Sequence, residues 1–239
     1  MTGWDFPGKT SVLLHMRTSF AVLVAATAAL AATSTAAQPA REAADAFAAR
    51  LQQRYDTVRD FEGNFTQSYE GGVLKVKTTE SGTVAIKRPG RMRWVYTKPE
   101  RKEFVADGLR MYSYLPADKQ VIVAAMPTES QTTPALFLAG RGNLVRDFTP
   151  SYIDLPSAAP GLVGLKLTPK RADPDLEWLI LGVDPATLQI RHLVAADGQG
   201  GRSTFAFSDL KENRNLADKL FAFQIPRGVE VITNGAPAK

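Results

Sequence analysis

Residues 82–96 read GTVAIKRPGRMRWVY, and this stretch decides the fold class. Val84, Ile86 and Arg88 fall on one parity. After the Pro89-Gly90 turn signal, Met92, Trp94 and Tyr96 again share a face. Apolar side chains at every second residue, interrupted by proline and glycine, read as two half-buried strands joined by a turn. Upstream, Phe61, Phe65, Gln67 and Tyr69 share a strand face. Gly71-Gly72 marks a turn, and Leu74 and Val76 then alternate with Lys75 and Lys77. Downstream, residues 104–106 and 109–115 flank Asp107-Gly108, a strong hairpin dipeptide, and residues 121–125 follow.

Further strand signals occupy 152–155, 162–168, 176–183, 188–196, 202–210 and 221–225, with a last short strand over 229–232. Asp173-Pro174, Asp184-Pro185 and residues 198–201 separate them. The tail from Asn234 reads as disordered. Helical spacing occurs twice. Over 41–59, Phe47, Leu51, Tyr55 and Val58 recur at intervals of three and four. Thr132-Thr133-Pro134 combines a helix cap with proline at the first helical position. Apolar residues 135–139 follow, and Gly140 is a natural stop. About eleven short strands with so little helix argue for one large antiparallel sheet, curled or closed.

The chain has 239 residues, a net charge of +5 and 44% hydrophobic residues, ordinary for a globular protein. It contains no cysteine. That excludes disulfides, thiolate metal sites, a cysteine nucleophile and a lipid-modified N-terminal cysteine. Its two histidines, His15 and His192, exclude a multi-histidine metal cluster. No run of like charges forms a nucleic-acid arm.

Arg17, the apolar run 20–32 and the small residues 33–37 make a secretory leader, too short for a membrane span. The expected organisation is a signal peptide over 1–37, with Met16 an alternative start, and one domain over 38–239. The mature chain then carries +4.

Enzyme motifs are absent: no G-x-S-x-G, H-E-x-x-H or P-loop occurs. The glycines at 140–142 and 198–201 read as turns. His192, on the parity of Leu188, Ile190 and Val194, reads as a satisfied sheet residue. Asp173, Asp175 and Glu177 read as a solvated turn. No cofactor is expected. Arg88 is the anomaly, a guanidinium at the rim of an apolar face. It brings five donors and keeps its charge. One reading is a strand-end residue in water; the other is a latch on helix C-terminal carbonyls or on a ligand's oxygens. Phe65, Met92, Trp94, Met111 and Leu136, Phe137 and Leu138 are candidates for a concave apolar interior, joined by Val84 and Ile86 on the strand that leads to Arg88.

Several runs together resemble one family. They are Phe61-x-x-x-Phe65-x-Gln67, Gly82, Lys87-Arg88-Pro89, Arg93-Trp94, Pro99, and Asp107-Gly108 with Tyr112-x-Tyr114-x-Pro116. Thr133-Pro134, Leu167-x-Pro169, Phe205-x-Phe207 before Asn213, and Phe221-x-Phe223-x-x-Pro226-x-Gly228-Val229 complete the set. In this order and spacing, over residues 44–232, the chain resembles the periplasmic outer-membrane lipoprotein carriers of the LolA family. The resemblance implies an unclosed β-barrel with an α-helical lid over a hydrophobic cavity, working as a monomeric periplasmic chaperone. Its cargo is lipid-modified lipoproteins, taken from the inner-membrane ABC transporter LolCDE and passed to the outer-membrane receptor LolB. Arg88 matches the family's arginine that ties lid to barrel. Met92 departs from the phenylalanine or leucine common in relatives. Competing readings are a periplasmic lipid-sensing module of the same half-barrel type, a general lipid carrier, and an esterase.

Overall fold

In the computed structural model, the described residues are 42–71, 76–126, 138–140, 142–155, 159–173 and 175–234. They begin with helix α1 (Ala44–Asp56), then β1 (Asp60–Glu70), β2 (Lys77–Lys87), β3 (Arg91–Lys98), β4 (Lys102–Asp107), β5 (Arg110–Leu115) and β6 (Gln120–Ala125). A one-turn helix α2 (Leu144–Asp147) leads into β7 (Phe148–Ile153), β8 (Val163–Pro169), β9 (Trp178–Val183), β10 (Ile190–Ala196) and β11 (Arg202–Glu212). A 3₁₀ turn, Asp218–Phe221, and β12 (Glu230–Asn234) close the order.

The twelve strands form one sheet, ordered β12-β6-β5-β4-β3-β2-β1-β11-β10-β9-β8-β7. It is antiparallel except where β12 runs parallel to β6. β7 and β12 lie at opposite ends, so the barrel is unclosed. The curl follows from side-chain contacts. In a flat sheet β3 and β11, with two strands between them, would lie about 14 Å apart. Yet the Trp94 and Phe205 rings meet at 5.5 Å, and those of Trp94 and Phe207 at 6.2 Å.

The parity expected for the hairpin at 82–96 is the observed one: Val84, Ile86, Met92, Trp94 and Tyr96 are all buried on the concave face. Gly82 sits at a register shift between β2 and β3. A Cβ there would lie 1.9 Å from the Val95 carbonyl oxygen, so only glycine permits this strand approach. α1 lays Phe47, Ala48, Leu51 and Tyr55 into the concave side, where they join Leu165, Leu167, Leu179, Leu181 and Leu193 in one core.

Three expectations need correction. The strand expected over 221–225 is the end of the 3₁₀ turn followed by unpaired chain. This segment crosses the convex face as a strap, which is why β12 arrives parallel to β6. Parallel pairing requires such a crossover. The strap is anchored at its start by Asp60, whose buried carboxylate accepts from the Arg214 and Leu216 amides. Phe221 is buried beneath it, and Phe223 stacks on Tyr112 at 5.2 Å. Second, a register shift between Ile190 and His192 breaks the expected parity. Ile190, Leu193 and Ala195 face the core, whereas His192 is buried outside that core, over Gly182. Third, Asn234 belongs to β12 rather than to a disordered tail. Most of the helix expected over 132–139, with Leu136 and Phe137, lies outside the described residues.

Candidate functional site

The site is built where the β2–β3 turn meets the end of α1. The turn places Arg88 beside the last turn of the helix, where the Tyr55 carbonyl also accepts from the Val58 N–H at 3.1 Å. The Arg88 Nη1 donates to the Tyr55 carbonyl at 2.6 Å, and Nη2 to the Leu138 carbonyl at 3.4 Å. The guanidinium also lies over the Tyr55 ring, 3.9 Å from its centroid. Of the two readings open from sequence, the geometry is that of the helix carbonyl contact, which the negative end of the helix dipole favours. Backbone bonds reinforce the seam: Arg88 N–H to the Arg59 carbonyl at 2.8 Å, and Gly90 N–H to the Ala139 carbonyl at 3.1 Å. Gly140, at φ +81°, makes room for the arginine; a Cβ there would come within 2.9 Å of Arg88 Cδ.

Burial sets the electrostatics of this corner. It pulls the Arg88 pKa below its ordinary value, while Tyr55 and Asp56 oppose the shift. It also pushes the Tyr55 hydroxyl up to about 12. The Arg88 Nε is buried and has no acceptor among the described residues. Arg54 and Glu212 form an ion pair close by, tying α1 to β11.

Below this corner the concave face is apolar and aromatic. Phe65 lies edge-on to Trp94 at 5.0 Å and to Tyr96 at 4.8 Å. Phe205 and Phe207 stack on one another at 6.1 Å. The structure thus brings Phe65, Val84, Ile86, Met92, Trp94 and Leu138 together in one buried core. Met111 packs against it but stays half-buried, as do Phe104 and Met126. Phe205 and Phe207, named in the sequence as part of the family resemblance, were absent from the candidates for the concave interior, although their alternation was legible. What the sequence could not show is that the curl carries β11 across to β3. The Tyr96 hydroxyl, which donates to Gln67 Oε1 at 2.5 Å, was also missed.

A void beside Tyr55, Leu138, Phe207 and Leu210 measures about 10 Å³, room for one water at most. A larger cleft of about 400 Å³ opens on the opposite, convex face between Asn64, Arg93, Asp209 and Leu220, away from the aromatic cluster.

Fold and site together define an open β half-barrel with an apolar concave face, fastened to a helix end by one half-buried arginine. The family model for the outer membrane lipoprotein carrier protein LolA matches residues 56–224. The outer-membrane lipoprotein carrier protein of Xanthomonas oryzae pv. oryzae is 33% identical over 92% of this chain and 98% of its own. That of Cupriavidus taiwanensis is 32% identical over 88% and 97%. An uncharacterized conserved protein from Thermus thermophilus shares the fold, with a TM-score of 0.50 at 12% identity, covering 79% of this chain and 99% of its own. The chain belongs to the LolA family of outer-membrane lipoprotein carrier proteins.

Proposed function

We propose that this protein is a periplasmic chaperone for lipid-modified lipoproteins. It accepts them on release from the inner membrane by LolCDE, shields their acyl chains against the concave face, and delivers them to LolB. It works without cofactor or catalytic turnover, and residues 1–37 direct it to the periplasm. The observation that carries this reading is the grip of half-buried Arg88 on the Tyr55 and Leu138 carbonyls, above an apolar interior.

The physical logic concerns release. Each buried methylene contributes about 0.8 kcal/mol, so a dry, empty cavity matched to acyl chains would hold cargo too tightly for handover. In the free protein the lid helices fill that space. Cargo then exchanges one apolar contact for another, and the net affinity stays low enough for onward transfer. Arg88 sets the balance between the closed and loaded states.

The test is release of radiolabelled lipoproteins from spheroplasts by the mature protein. ATP-dependent appearance of a soluble complex supports the carrier role. Arg88→Leu is expected to raise ANS fluorescence and to impair transfer to LolB. Folded protein that releases nothing defeats the carrier reading and favours a lipid-sensing module. Unchanged ANS binding and unchanged transfer in Arg88→Leu would remove Arg88 from its role.

A further inference from the structure

We propose that Trp94 is the polar specificity element of the apolar chamber, its indole N–H donating to a carbonyl oxygen of the cargo's acyl groups. This rests on the carrier reading and names what the chamber recognises beyond hydrocarbon. Trp94 is paired with Val84 on β2 and Phe104 on β4, and is only 4% exposed. Its ring is enclosed by Phe65, Phe205 and Phe207 at centroid distances of 5.0, 5.5 and 6.2 Å. Its Nε1 is buried with no acceptor among the described residues. The side-chain acceptor two strands away on β1, Gln67 Oε1, already accepts from the Tyr96 hydroxyl.

A buried tryptophan usually finds a partner for its N–H, and leaving a donor unpaired is unfavourable. Phenylalanine or methionine would fill the same place without that penalty, as Phe65 and Met92 do on the same face. The donor therefore makes sense in a state where an acceptor is brought in. The surroundings define that acceptor. They are aromatic and apolar, so it must be uncharged and joined to hydrocarbon. A carboxylate would need a cation, and Arg88 on this face is already engaged with two carbonyls. An ester or amide carbonyl at the head of an acyl chain fits both requirements. Phe205, only half-buried, is the ring that yields to admit it.

The experiment compares two probes of equal chain length on the mature protein: an S-diacylglyceryl lipopeptide and its ether-linked S-dialkylglyceryl analogue. The wild type is expected to bind the ester probe about 5-fold more tightly, the scale of one neutral hydrogen bond. Trp94→Phe should bind both alike, at the strength of the ether probe. Benzothienylalanine at position 94 keeps the bicyclic shape without the N–H. It should also lose the preference, and it decides the matter if the phenylalanine variant does not fold. The ester carbonyl infrared band should move to lower frequency in the wild-type complex and not in these variants. Equal binding of both probes by the wild type, or a preference that survives both replacements, overturns the assignment alone. Binding of neither probe by folded wild type defeats the carrier reading together with it.

Discussion

The two ends of the sheet differ in which face carries their large buried apolar side chains. Under α1, strands β8–β10 present Leu165, Leu167, Leu179, Leu181 and Leu193 to the concave side, each fully buried. Leu51 of α1 and Leu144 of α2 close over them without residual exposure. At β4–β6 the concave residues Phe104 and Met111, with Met126 just beyond, are only half-buried. There the convex side is sealed instead. Val105, Val121 and Phe221 are buried beneath the C-terminal strap, outside the main core. One end is a finished core. The other is anchored from behind and keeps its apolar front face adaptable. A carrier needs both, a rigid frame and a wall whose contacts can be exchanged.

The contrast can be broken by mutation. Phe221→Ala should cost about 3–5 kcal/mol, as for a large aromatic removed from a packed site. Measured by urea unfolding, a loss under about 1 kcal/mol would mean the strap does not hold the β4–β6 end. Leu181→Ala should cost about 2–5 kcal/mol. Met111→Ala, at a half-buried and adaptable position, should cost about 1 kcal/mol or less while weakening lipopeptide binding. Equal destabilisation by the two substitutions would erase the distinction between the ends.

His192 gives a finer comparison. Burial lowers its pKa below the ordinary 6.5, so the folded state favours the neutral ring. The unfolded chain takes up the proton first as pH falls. Stability is therefore lost as pH drops below about 6.5, with a slope of at most about 1.4 kcal/mol per pH unit. Four carboxylates act at lower pH, because each is held below its ordinary value, Asp218 among them by the hydrogen bond from Lys87. Burial works to raise Asp107, but hydrogen bonds from the Arg110 and Leu109 amides outweigh it. Asp147 is lowered by Arg146, and Asp184 by the Thr187 and Ala186 amides. Thermal melts between pH 7 and 5 should flatten in His192→Gln. An unchanged slope would show that the packing over Gly182 opens without resisting protonation.

Much of this was readable in the chain. The hairpin at 82–96 folds in its expected parity because alternation of apolar and polar residues is a local property, imposed by the pleat. The α1 stripe is local in the same sense. Arg88 stood out because a permanent charge on an apolar parity demands acceptors. Helix C-terminal carbonyls were among the readings of its acceptor, but that Tyr55 supplies one was not legible, since its carbonyl is a backbone atom 33 residues away. The register shift before His192 and the strap over 213–229 were missed for a related reason. A one-residue shift leaves no mark in composition, and Phe221-x-Phe223 has the same alternation whether it pairs with a strand or lies across several.

The sequence by itself determined most of the strands, the buried parity of the hairpin over 82–96, the helix that covers them, and the arginine that had to be satisfied. These follow from spacing and from the cost of burying polar groups. Only the tertiary structure decided which face each end of the sheet conceals, that Phe205 and Phe207 reach Trp94, and that the Trp94 N–H is left without a partner among the described residues. Those outcomes depend on curl, crossover and register, which arise between segments far apart in the chain and are encoded in no one of them.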